Sequence, residues 1–117
     1  MNEDSKKYNS LLLNKFPELK EKFDDYTNWQ DGIETGSLLV YEDVFVPYIL
    51  ECLINDNNDK MIEIANFIEE LISSEDEYAF NIAYIAILES LKSNPNGINI
   101  QKYLKDKSLK EFNELKY

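Results

Sequence analysis

Apolar residues in this chain recur at intervals of three and four almost from end to end, and only three glycines and three prolines interrupt them in 117 residues. That spacing brings side chains onto one face of a helix turn after turn, whereas a strand would alternate at every second residue. No pair of period-two segments stands out. The pattern predicts an all-α, single-domain bundle of five or six helices over residues 1–117, with antiparallel stacking of helix pairs as one arrangement.

Tyr8, Leu11, Leu12 and Phe16 form the stripe of a first helix from about Ser5 to Lys15. Pro17 suits the first position of a second helix, which carries Leu19, Phe23 and Tyr26 on one face. Trp29 is expected to anchor that helix's end, and the two glycines of "TNWQDGIETGS" predict a loop over about 30–37. The stretch "LLVYEDVFVPYILECLIN" leaves two conformations open over 38–46, because Val46 precedes Pro47 and is biased toward extended backbone. Phe45, Tyr48, Ile49, Cys52 and Leu53 nevertheless share a helical face, so a helix ending near Asn55 is expected.

The next helix spans about Asn58 to Ser73, with Met61, Ala65, Ile68, Leu71 and Ile72 inward. Ser74 and Glu77 match a capping box for a helix over Tyr78–Leu91. That helix is apolar on almost every side, which predicts the central core element. After "SNPNG" come one short helix and a last amphipathic one.

The residues point to no catalytic, cofactor-binding or metal site. Histidine is absent and Cys52 is the single cysteine, so no zinc spacing exists. A calcium loop starting at Asn55 fails at both decisive places: Lys60 stands where glycine makes the sharp turn, and Asn66 where a bidentate glutamate belongs. There is no glycine-rich phosphate loop and no nucleophile elbow. Cys52 lies on an apolar face, where a cysteine is an inert core residue. A small hydrolase built on paired carboxylates such as Glu69 and Glu70 is the remotest reading. Adjacent helical acids diverge by about 100° and need no chemistry to explain them.

With 44% hydrophobic residues the chain is too apolar for a disordered acidic tail. The lone cysteine and the short apolar run of the N-terminus lead to a cytoplasmic expectation. No stretch approaches the roughly 20 apolar residues a membrane helix needs.

Charge carries the most functional information. Residues 31–91 hold fourteen acids against Lys60 alone, while residues 92–117 hold three acids and six lysines. A helix needing only solubility mixes signs and gains i, i+4 pairs. Acids concentrated this way repel nucleic acid and anionic membranes and attract a basic protein. Asp59, Glu63, Asn66 and Glu70 step by four, three and four along one helix and predict an outward ridge. The candidate partner-binding residues are Asp56, Asp59, Glu63, Glu70, Asp76 and Glu77, then Glu42 and Asp43, with Tyr41 and Tyr78 as aromatic anchors.

The segments "VYEDVFVPYILECLINDN", "NFIEELI", "AILESL" and "KYLKDKSLKEF" resemble a family of small helical bacterial domains of unassigned function, of a kind found among immunity-type proteins that neutralise toxins. The resemblance covers about Val40 to Phe112 and rests on Phe45, Pro47, Phe67, Glu69, Leu88, Glu89, Leu91, Tyr103 and Leu104. The helical pair of residues 1–30 falls outside it. It brings no catalytic residues. What it implies is a non-enzymatic immunity protein that binds a basic toxin domain, a nuclease for instance. A regulatory or adaptor domain for another cellular protein is the alternative.

Overall fold

The computed structural model describes residues 2–115, and among them helices account for nearly all regular structure and no strand occurs. The spacing predicts five or six helices; among the described residues seven helical segments are present besides a single 3₁₀ turn at Gly32–Glu34. They are α1, Asn2–Lys15; α2, residues 17–27; α3, residues 37–54; α4, Asn58–Ile72; α5, residues 77–92; α6, Gly97–Lys102; and α7, Asp106–Glu114. The short helix expected after "SNPNG" is α6, which winds as a 3₁₀ helix.

The first two helices are part of the core. Tyr8, Leu12 and Phe16 bury the inner face of α1 and the chain that follows it, and Pro17 opens α2 as expected. Leu19 and Phe23 continue the buried face. Phe16 then meets Phe45 of α3 and Phe67 of α4 at ring-centroid distances of 5.2 and 5.7 Å, within the range where aromatic pairs attract. Tyr41 stacks on Phe67 at 6.2 Å.

The ambiguous stretch is helical throughout. Val46 has φ −59° and ψ −45°, despite the proline after it. A proline inside a helix lacks an N–H and crowds the carbonyl four residues back. Here the helix widens instead of breaking. Residues Tyr41–Phe45 form a π turn in which the Val46 N–H reaches back to the Tyr41 carbonyl, and regular winding resumes over Val46–Ile54. A wide turn next to a helix irregularity absorbs the change of register.

Helix α5 also winds as a π-helix over Ile82–Glu89. Its buried residues include Ala79, Ile82, Ala83, Ala86, Ile87, Leu88 and Leu91, so it is the central element that its all-round apolarity predicts. Its N-cap differs from the expected capping box. Asp76, not Ser74, takes the cap position and accepts from the Tyr78 N–H at 3.0 Å, while Ser74 Oγ accepts from the Asp76 N–H. A carboxylate is the stronger acceptor for an exposed helix N–H.

Gly97 starts α6 directly against α5: a Cβ there would lie 2.3 Å from the Leu91 carbonyl oxygen. Among the described residues two other than glycine occupy the left-handed region, Asp56 in the turn before α4 and Asp106 at the first position of α7. Short acidic side chains tolerate that conformation better than most. No helix among the described residues is long and apolar enough to cross a membrane.

Candidate protein interface

Helix α4 presents its acids outward because its inward face is full. Met61, Ile64, Ala65, Phe67, Ile68, Leu71 and Ile72 are buried, which leaves Asp59, Glu63, Asn66 and Glu70 exposed on the opposite side. The predicted ridge therefore exists. It forms one wall of a shallow groove of about 200 Å³, closed on the other side by Lys15 and Phe16 at the end of α1. A second groove of about 380 Å³ shares Lys15 and Glu70 and runs on past Lys7, Tyr8 and Leu11.

The ridge is not purely acidic in space. Lys15 Nζ crosses from α1 to Glu70 at 3.3 Å, and Lys60 sits between Glu18 at 3.1 Å and Glu63 at 3.4 Å. Lys60 also lies 5.6 Å from the centre of the Phe16 ring. Burial would raise the Glu18 carboxyl, but hydrogen bonds from Tyr48 and Lys60 outweigh it and hold that group below its ordinary value. Exposed pairs of this kind contribute at most about 1 kcal/mol each. They reduce the ridge's field without removing it.

The other candidates divide by what their side chains already do. Asp56, Glu42 and Glu77 are exposed. Asp43 is exposed but accepts the Tyr26 hydroxyl, and that hydrogen bond, with partial burial, pushes Tyr26 up to about 12. Asp76 is the α5 cap and also accepts the Tyr8 hydroxyl at 2.6 Å. Tyr78 is half-buried, with its hydroxyl 3.0 Å from Ser5 Oγ and accepting from the Ser37 N–H.

Tyr41 is a correction. It is 0% exposed, and its hydroxyl donates to the Tyr8 carbonyl at 2.6 Å. Its neighbours Glu42 and Asp43 are at the surface because they lie on the far side of the π turn. A tyrosine beside two acids in sequence is thus a core residue, and it offers a partner no surface.

Glu69 has a role that sequence spacing did not reveal. From α4 it reaches the start of α7, accepting the Ser108 N–H at 3.0 Å and the Lys107 N–H at 3.3 Å, with Ser73 Oγ donating at 2.9 Å. Burial would raise its carboxyl, but these donors, Ser108 foremost, hold it below its ordinary value. It serves α7 as a cap supplied from another helix, which no local pattern encodes.

Trp29 also departs from expectation: it does not pack on the end of α2 but stands 89% exposed. Of the fourteen acids in residues 31–91, eleven are exposed, and only Glu69, Asp76 and Glu89 are half-buried. Among the described residues no group of three or more Cys, Asp or Glu side chains converges as a metal site would require. The arrangement is chemically a set of hydrogen-bond acceptors and negative charge on a rigid helical surface, suited to cationic donors.

No curated protein and no solved structure matches the chain. The family described as a domain of unknown function, DUF7674, matches residues 9–117, from within α1 onward. By that match, which takes in α2 to α7 and half of α1, the chain belongs to the DUF7674 family.

Proposed function

We propose that the chain is a non-enzymatic protein-binding module that takes a basic partner on its acidic helical surface, and that it acts as a bacterial immunity protein neutralising a toxin domain. The observation that carries this reading is the exposure of eleven of the fourteen acids in a segment whose only lysine is Lys60. Like charges held together repel and destabilise a fold. Their concentration is useful where a cationic surface must be steered in, and such steering raises association rates by roughly 10–1,000-fold at low salt. A nuclease domain, basic because it holds phosphate, suits this surface.

Asp59, Glu63 and Glu70 form the ridge in this reading, with Asp56, Glu42 and Glu77 extending the negative field. Asp43, Asp76 and Tyr78 act mainly within the fold.

The test is co-purification from bacterial lysate at low and then physiological salt, followed by assay of the recovered partner's activity with and without the protein. A basic partner whose toxic activity is inhibited supports the proposal. Replacing Asp59, Glu63 and Glu70 together by lysine should weaken that complex at least tenfold while helicity, followed by circular dichroism, is retained. Unchanged affinity removes the ridge from the interface, and a partner whose activity is regulatory rather than toxic replaces immunity with an adaptor role.

A further inference from the structure

Trp29 is the only tryptophan of the chain, and it projects into solvent from the turn that follows α2. The turn beneath it is firmly built. Gln30 N–H donates to the Thr27 carbonyl at 2.9 Å, and the Gln30 side-chain amide donates to the Tyr26 carbonyl at 2.9 Å. Glu34 N–H returns to the Asp31 carbonyl at 3.0 Å, and Asp31 N–H donates to Thr35 Oγ1 at 3.2 Å.

From below, the fully buried Asn9 side-chain amide donates to the carbonyls of Ile33 at 3.0 Å and Thr35 at 2.7 Å. Gly32 supplies the left-handed residue, φ 58°, that closes the turn. A large aromatic held out in water on a fixed base costs little backbone freedom when it meets a partner, which favours an anchor.

The charge that flanks it in sequence is one-sided. Asp25, one helical turn earlier, and Asp31 and Glu34 in the turn itself are exposed, and no described lysine pairs with them. No lysine occurs anywhere from residue 23 to residue 59. The nearest in sequence, Lys20 and Lys22, face Asp24 at 2.6 Å and Glu51 at 4.0 Å. Among side chains, indole gives the most favourable face to a cation, and a guanidinium stacks on it while presenting its N–H groups to nearby carboxylates.

We propose that the Trp29 tip, with Asp25, Asp31 and Glu34 around it, is the docking point for a basic partner protein, the indole face receiving an arginine or lysine side chain that the carboxylates hold. The inference rests on the basic-partner reading above and names residues other than those of the α4 ridge that the sequence singled out.

The test uses the full chain and a synthetic peptide of alternating arginine and glycine. Binding is followed by Trp29 fluorescence and, for variants, by calorimetry at physiological salt. Quenching of Trp29 on titration, with Trp29→Ala weakening affinity roughly tenfold or more and Asp59→Lys/Glu63→Lys/Glu70→Lys changing it less, supports the tip. If Trp29→Ala binds as tightly as the parent while the triple variant loses affinity, the tip is overturned and the basic-partner reading survives. If the peptide fails to bind the parent even at low salt, both fall.

Discussion

Tyr8 donates its hydroxyl proton to Asp76 across 2.6 Å, and through that bond α1 holds the N-terminus of α5. The other carboxylate oxygen of Asp76 accepts the Tyr78 N–H at 3.0 Å, so one side chain serves as both local cap and long-range tie. The hydrogen bonds from Tyr8 and from the Tyr78 backbone hold the Asp76 carboxyl below its ordinary value. Its contribution to stability is therefore present above the unfolded aspartate value of about 4 and is lost as pH falls through the lower folded value. Tyr8→Phe should lower the urea midpoint at neutral pH and flatten the loss of stability on acidification. Denaturant melts from neutral to acidic pH check this; superimposable curves for parent and variant would rule the tie out.

Glu69 caps α7 from α4, so its loss should be felt far from it in sequence. Glu69→Ala is expected to cost about 1 kcal/mol, the usual worth of a cap. Amide exchange should quicken at residues 107–109 while α1 keeps its protection. Equal protection of α7 in both proteins would sink the assignment.

Asn9 is fully buried, donates to the Ile33 and Thr35 carbonyls, and accepts from Ser37 Oγ at 2.9 Å. Asn9→Leu strands buried acceptors and should destabilise by about 2–3 kcal/mol. The larger effect should be local, with faster exchange over residues 31–37 and greater motion of Trp29 in fluorescence anisotropy. A variant as stable as the parent would refute the pedestal role.

Gly97 approaches Leu91 more closely than any Cβ can. Gly97→Ala must push α6 from α5 or distort both, and a loss of about 1–3 kcal/mol is expected, as for other overpacked sites. Gly36, where a Cβ meets open space, is the control and should accept alanine with little change. Thermal melts of the two variants decide it, and equal melting temperatures would contradict the packing.

The environment of Trp29 is testable without any partner. An indole 89% exposed and flanked in sequence by Asp25, Asp31 and Glu34 should emit like free tryptophan, and the ratio of caesium to iodide quenching at low salt should exceed that of free tryptophan amide. The preference should fade as salt screens the carboxylates. A blue-shifted emission that resists both quenchers would place the ring inside the protein.

Much of the fold was legible in the sequence because helix faces are written in local spacing. Met61, Ala65, Ile68 and Ile72 announce the inward side of α4, and the outward ridge of Asp59, Glu63, Asn66 and Glu70 follows from the same period. The all-round apolarity of α5 likewise announces a central helix. What local spacing does not contain is the set of partners that meet from distant segments. Tyr41 is buried because a π turn and the Tyr8 carbonyl claim it, although its sequence neighbours are two exposed acids.

Pro47 biases Val46 toward extended backbone on local grounds, yet packing around Phe45 and Phe67 accompanies a widened turn rather than a break. Sequence alone determined the helical class, the inward faces and the one-sided charge of residues 31–91, since each depends on near neighbours or on simple counting. Tertiary structure decided which acids became caps and ties, which lysines crossed to Glu70 and Glu18, and that Trp29 stands in water. Those outcomes depend on hydrogen-bond partners and packing space that only the folded chain brings within reach.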